Sequence, residues 1–276
     1  MSGHAILKKS AGRLYMGLIF LFLYLPILVL IVLSFNNSKT RVQWGGFTLK
    51  WYRQMLESST ILNAFGTTIL VTLSSALIAT LLGTMAAIGI HAMKVRNQTI
   101  MLGITNIPLL NAEIVTGISM MLLFVRFFKM ELGITTVLIA HVTFNIPYVI
   151  LNVLPKLNQC NRTTYEAALD LGATPFYAFL KITWPQIRSG VFSGFLMAMT
   201  MSMDDFSVTY FTKGAGVNTL STMIYTQMRK GINPEMYALS TILFFLAFLL
   251  LLVMNISSRA KKKDQMTLTK KRNPER

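Results

Sequence analysis

Leu14 to Phe35 read LYMGLIFLFLYLPILVLIVLSF, an apolar run without a charge. An α-helix rises about 1.5 Å per residue, so roughly 20 such residues cross the ~30 Å hydrocarbon layer of a bilayer. Lys8, Lys9 and Arg13 precede the run, as they would in a secretory signal. The stretch is longer than the roughly 7–15 residues of a signal core, and no A-x-A-like cleavage site follows it. It therefore reads as a retained anchor helix, with Pro26 inside it.

Outward from this anchor, further apolar runs lie at about 65–90, 101–125, 134–154, 191–211 and 238–256. The expectation is an all-α integral membrane protein of six spans, with residues 1–276 forming one transmembrane domain. With the N-terminus inside, the inner segments hold 17 Lys and Arg and the outer segments 9. That is the bias of cytoplasmic loops, so both termini are placed in the cytoplasm.

Apolar types make up 53% of the 276 residues and charged types 13%, with a mean hydropathy of +0.55. A soluble domain carries about 25% charged residues. Too little charge is available here to cover a water-soluble particle, which disfavours a soluble enzyme, a disordered chain and a nucleic-acid-binding module. The net charge is +16, but the basic residues sit between apolar runs. They point to a lipid bilayer and not to nucleic acid. The tail Arg259-Ala260-Lys261-Lys262-Lys263 reads as a topology anchor against anionic lipid.

Catalytic signatures are missing from the sequence. The single cysteine, Cys160, excludes an intramolecular disulfide and a multi-cysteine metal site. Gly214-Ala215-Gly216 lacks the Gly-Lys-Ser/Thr that would complete a phosphate loop. His4, His91 and His141 make no metal spacing. His141 lies within the fourth span and reads as one partner of a helix–helix hydrogen bond. The chain is expected to be no enzyme and to bind no cofactor of its own.

The inner segment 155–190 is too structured to be a simple connector. Thr164 is a plausible N-cap, Glu166 and Asp170 suit an early helical turn, and Ala167, Ala168, Leu169 and Leu171 are good helix formers. Gly172 supplies the stop, because glycine takes positive φ at a helix end. Thr174 then caps a second helix with Pro175 at its first position. Geometry alone leaves two readings open: an interfacial helix pair lying on lipid, or a docking knob for a cytoplasmic partner.

Glu166-Ala167-Ala168, then Gly172, then Ile182 and Pro185, resemble the EAA loop of permeases in binding-protein-dependent ABC importers. Trp184 departs from that pattern by replacing a leucine, but it keeps a large apolar side chain. Phe35 to Ser38, Trp51-Tyr52, Ile114 to Ser119, Asp204-Asp205-Phe206 and Gly231 to Glu235 are similar, in order and spacing, to the PotC-type permeases of spermidine/putrescine importers. The resemblance covers nearly the whole chain. It implies a multi-pass permease of the type I ABC importer kind, in a bacterial cytoplasmic (inner) membrane. It also implies a second permease subunit, two copies of a cytoplasmic ATPase that uses ATP and Mg, and an extracytoplasmic polyamine-binding protein. The ATPase would dock on Glu166, Ala167, Ala168, Asp170, Gly172, Ile182 and Pro185.

The intramembrane acids fit a cationic solute. A carboxylate at mid-bilayer costs about 2.5–3.5 kcal/mol on insertion scales, so such residues face a pathway or a partner. Glu113 falls near the middle of the third span, and Asp204 and Asp205 towards the outer half of the fifth. Neighbours on a helix diverge by about 100°, so the two aspartates cannot both face one axis. A polyamine suits carboxylates for its ammonium groups and aromatic faces for cation–π contact. Glu113, Asp204, Asp205, Phe206, Tyr225 and Arg229 are thus the expected pathway residues. Leu220, Met223, Ile224 and Met228 give residues 219–230 an amphipathic helical pattern, read as an outer gate element with Tyr225 and Arg229 on another face. The rivals are a permease for another solute class and a transporter that works without an ATPase.

Overall fold

The structure is a computed structural model. It describes residues 2–38, 43–230, 233–249 and 251–252, and among these all regular structure is helical apart from one isolated bridge between Asn36 and Phe47. The helices are α1 (Ser2–Ser34), α2 (Lys50–Glu57), α3 (Ser59–His91), α4 (Val95–Leu110), α5 (Glu113–Leu122) and α6 (Ile134–Asn158). Then come α7 (Arg162–Asp170), α8 (Pro175–Ala178), α9 (Trp184–Asp204), α10 (Ser207–Thr212) and α11 (Leu220–Lys230), and α12 (Pro234–Leu249). Wide π turns follow α5 at Leu123–Phe127 and α8 at Phe179–Thr183.

Tyr15–Ser34 of α1, α3 and α6 are each long and apolar enough to cross a membrane. Helices α4 and α5 make a fourth crossing if taken together, but they meet at a bend of 101°. The expected straight third span is therefore broken. Asn111 and Ala112 are extended at the break, and Glu113 opens a new helix instead of sitting inside an old one. The expected fifth span is divided as well: α9 stops at Asp204, Asp205 is extended, and α10 restarts at Ser207. The last expected span begins earlier, at Pro234, and its residues 250 and 253–256 lie outside the described ones.

The chain forms two compact units, residues 1–62 with 226–246 and residues 63–225 with 247–276. In the first, Asn36 and Trp51 tie α1 to α2. The Trp51 indole donates to the Asn36 carbonyl at 2.7 Å. The Asn36 side chain accepts from the Gly45 amide at 2.8 Å and donates to the Gln43 carbonyl at 2.9 Å. Tyr52 stacks against Phe35 and shares a 2.8 Å hydrogen bond with Ser34. These bonds satisfy the Asn36 and Gln43 carbonyls and the Gly45 amide in the segment that follows α1.

The core of the second unit lies where α3, α6 and α9 meet around Val149, which is fully buried. Glycine allows that approach. A Cβ on Gly83 of α3 would stand 2.7 Å from the Val149 Cβ, and one on Gly190 of α9 would stand 2.7 Å from the Asn152 carbonyl oxygen. Small residues at helix interfaces let backbones approach closely where no hydrophobic force separates helix from lipid. Helix α10 packs on α5 and α6 through Val208, Phe124 and Ala140, and Thr136 of α6 donates to the Thr212 carbonyl at 2.7 Å.

Candidate functional site

Two groups of residues stand at opposite ends of α9. The first is the segment from α7 to the start of α9. Asn161, not Thr164, caps α7, and its side chain accepts from the Thr163 amide at 3.0 Å. Asparagine outranks threonine as a cap, and its placement starts the helix three residues earlier than expected. At the other end, the Gly172 amide bonds the Leu169 carbonyl at 2.9 Å and the Ala173 amide bonds the Ala168 carbonyl at 3.0 Å. This pair is a Schellman closure, and it requires the left-handed conformation that Gly172 adopts, with φ +87°. Thr174 then caps α8, and Pro175 opens it.

Ala178 and Ile187 bury this segment's flanks. Glu166, Ala167, Asp170, Gly172 and Pro185 are exposed, while Ala168 and Ile182 are half-buried. Leu171 is 90% exposed. Sequence reasoning read this residue only as a helix former. Behind the knob lies a groove of 390 Å³ whose walls include Ile88, His91, Leu157, Tyr165, Phe179 and Ile182. Cys160 also lines it, and burial pushes that thiol above its ordinary range.

The second group surrounds the two helix breaks. Glu113 is the first residue of α5, where the helix dipole favours a negative charge. It lines a cavity of 40 Å³ together with Asp205, Thr116, Phe144, Tyr148, Met201, Pro108, Leu109 and Val208. That volume holds an ammonium head or about two to three waters. The cavity thus joins Glu113 and Asp205, which are far apart in sequence.

Asp204 and Asp205 part company. Asp204 is exposed. The Asp205 side chain is 5% exposed and is tied from several sides. Its Oδ1 accepts from the Val208 amide at 3.2 Å, and its Oδ2 accepts from the amide and the hydroxyl of Thr209, each at 2.7 Å. His141, 1% exposed on α6, places Nε2 2.8 Å from Thr209 Oγ1 and 3.5 Å from Asp205 Oδ2. Its Nδ1 lies 2.6 Å from Ser202 Oγ, which is 3.0 Å from Ser75 Oγ on α3. The expected helix–helix hydrogen bond of His141 is thus part of a longer array.

Beside Asp204, the Phe206 ring lies 4.3 Å from that of Tyr225 and 5.3 Å from that of Tyr210. Tyr210 and Tyr225 approach edge to face at 5.9 Å. Arg229 follows Tyr225 by one turn on α11 and is exposed. Sequence reasoning missed Phe144, Tyr148, Thr209 and Tyr210. The i, i+3, i+7 spacing of His141, Phe144 and Tyr148 was the available signal, since it sets them on one face of α6. Asn145 is completely buried on the same helix, and neither atom of its amide finds a partner among the described residues.

A family model described as "Binding-protein-dependent transport system inner membrane component" matches residues 79–262. The putrescine transport system permease protein PotI of Escherichia coli (strain K12) is 35% identical over 242 residues, 85% of this chain and 86% of that one. The spermidine/putrescine transport system permease protein PotC of the same strain is 34% identical over 256 residues, 91% and 97% of the two chains. Among solved structures, a chain of a bacterial alginate ABC transporter in complex with its alginate-bound periplasmic protein superposes with a TM-score of 0.69 at 15% identity, covering 92% of this chain and 95% of that one. A chain of the inward-facing MetNI methionine ABC transporter gives 0.55 at 16% identity, covering 74% and 98%. These two likenesses are of fold.

Proposed function

This chain belongs to the family of inner membrane components of binding-protein-dependent transport systems, and on that footing we propose that it is one permease subunit of an ATP-driven importer of polyamines. The observation that carries the solute class is the pair Glu113 and Asp205 on one ammonium-sized cavity with Phe144 and Tyr148. Two carboxylates and two aromatic faces attract an alkylammonium by charge and by the ring quadrupole. They repel an anion and offer little to a neutral sugar. The exposed Asp204 precedes by two residues Phe206, whose ring packs with those of Tyr210 and Tyr225, so an acid and aromatic faces recur a few residues on. A chain of methylenes between ammonium groups suits acids set apart with apolar and aromatic surface between them. Relatives that carry putrescine and spermidine in their names support the same reading.

In this proposal the chain crosses the membrane six times with both termini in the cytoplasm. It pairs with a second permease subunit above two ATPase copies, and an extracytoplasmic binding protein delivers the polyamine. ATP and Mg act at the partner ATPase. The knob formed by Glu166, Ala167, Ala168, Asp170 and Gly172, with Ile182 and Pro185 behind it, seats in that ATPase. Helix α9 then serves as the lever: its first turn joins the knob, its last residue is Asp204, and about 30 Å of rigid helix lies between them. Closure of the ATPase dimer moves one end, and the acids at the other change what they face.

The test is uptake of labelled putrescine and spermidine by the complete transporter in proteoliposomes. Accumulation against a gradient only with ATP is the expected result. Failure to move either polyamine, with ATP-driven uptake of another solute, overturns the solute assignment. Uptake that persists without the ATPase overturns the docking assignment.

A further inference from the structure

The array around His141 has a direction, and the carboxylate sets it. An ionised Asp205 can only accept hydrogen bonds, so the Thr209 hydroxyl, 2.7 Å away, donates to Oδ2. That hydroxyl has one proton, so it must accept from His141 Nε2 at 2.8 Å. Nε2 therefore carries hydrogen. In the neutral imidazole Nδ1 is then an acceptor, and the group within reach is the Ser202 hydroxyl at 2.6 Å. Ser202, having given its proton to His141, accepts in turn from Ser75 at 3.0 Å. Every donor from Ser75 through Ser202, His141 and Thr209 points towards Asp205. Hydrogen bonds aligned head to tail polarise one another, most strongly where water is excluded.

The array also explains an otherwise costly arrangement. Burying an ionised carboxylate is unfavourable unless its lone pairs are satisfied. The Val208 amide and the amide and hydroxyl of Thr209 hold Asp205 from the adjoining turn of α10, and His141 of α6 stands 3.5 Å from its Oδ2 on the other side. Asp205 is thereby fixed in the wall of the cavity that Glu113 also lines.

We propose that His141 is a positioning residue: through Thr209, and backed by Ser202 and Ser75, it holds the Asp205 carboxylate charged and turned towards the Glu113 cavity, where it meets one ammonium group of the solute. This rests on the polyamine reading above. His141 itself does not touch the solute. Its loss leaves Asp205 free to turn or to take up a proton, so the defect falls on solute affinity before it falls on turnover.

The experiment compares the wild-type transporter with His141→Phe, His141→Gln and Thr209→Val in proteoliposomes, reading KM and maximal rate for putrescine and spermidine. His141→Phe is expected to raise KM about tenfold or more, the loss typical of a hydrogen bond to a charged group, with the maximal rate within about twofold. His141→Gln keeps a donor and an acceptor and is expected to return KM to within about threefold of wild type. The double variant of His141→Phe and Thr209→Val is expected to be no worse than the worse single change, because both break one series. Should His141→Phe fail to assemble, Thr209→Val carries the same expectation. Wild-type polyamine uptake together with an unchanged KM in His141→Phe, or with additive effects in the double variant, overturns the positioning role and leaves the polyamine reading standing. No polyamine uptake by the wild type overturns both.

Discussion

The two ends of α9 are held by different kinds of bond. At the knob, the hydrogen bonds that cap and close the helices span five residues or fewer: Asn161 to Thr163, Gly172 to Leu169, Ala173 to Ala168, Thr174 to Tyr177. At the acid centre, His141 reaches across 61 residues to Ser202, and Ser75 across 127 to the same hydroxyl. The partner surface proposed for the knob can be built from local rules, because a partner would supply the missing contacts. A charged group inside the protein cannot, because everything that compensates its burial must come from other helices.

Two glycines break or sharpen that contrast most strongly. A Cβ at Gly190 would stand 2.7 Å from backbone oxygen, whereas one at Gly172 meets nothing within 4 Å. Gly190→Val is therefore expected to cost about 3 kcal/mol or more of folding stability and to abolish recovery of the assembled transporter. Gly172→Val costs only about 1–2 kcal/mol for the left-handed backbone, leaves the protein in the membrane and still abolishes coupled uptake. Gly172→Asn, which tolerates positive φ, separates backbone from surface. Restored uptake would show that conformation alone matters, and continued failure places the fault in a clash with the ATPase groove.

The adjacent aspartates give a smaller contrast. Asp205→Asn disturbs bonds to two amides and a hydroxyl and is expected to lower stability by about 1–3 kcal/mol, as well as weakening uptake. Asp204→Asn should leave the melting temperature alone and raise KM only. Equal melting temperatures for the two variants would contradict the division drawn between them. Smaller again is Asn145→Leu. An unpaired buried amide costs about 1–3 kcal/mol, so its replacement should raise the melting temperature. A gain in stability with loss of transport would mark Asn145 as a functional group kept at a structural cost.

The mildest expectation concerns Cys160. Burial raises its pKa above the ordinary thiol value of 9.0, so less thiolate is present at any pH near neutrality. Alkylation by iodoacetamide should be slow at pH 7.5 and accelerate only as the pH passes above that value. Fast labelling at pH 7.5 would show that the groove behind the knob opens.

The knob was the more legible end. Gly172, Thr174 and Pro175 occupy their positions because turn and cap chemistry requires those residue types, and that chemistry reads directly from sequence. The cap at Asn161 was misplaced because Thr164 is also a good cap, and only the extra turn decides between them. The apolar runs located α1, α3 and α6. They hid the bends, since a broken helix in a membrane keeps the hydropathy of a straight one when its freed backbone groups face a cavity. Glu113 and the aspartates stood out by their cost in lipid. Their union on one cavity did not, because it depends on α4 and α9 both ending early. His141 was visible as a polar residue among apolar ones, whereas its dependence on Thr209 and Ser75 needed the packed structure.

The π turn at Phe179–Thr183 fixes an angular phase. A wide turn accommodates one residue more than an α turn, and each residue rotates a helix by about 100°. Removing one residue there would restore ordinary winding and swing the knob a quarter-turn or more around the axis that leads to Asp204. Composition and the apolar runs would hardly change, while the spacing from Gly172 to Ile182 in the EAA segment would shorten by one residue. In the proposed importer the stroke would then arrive from the wrong side, and the register of this single turn would act as a gear setting between motor and gate.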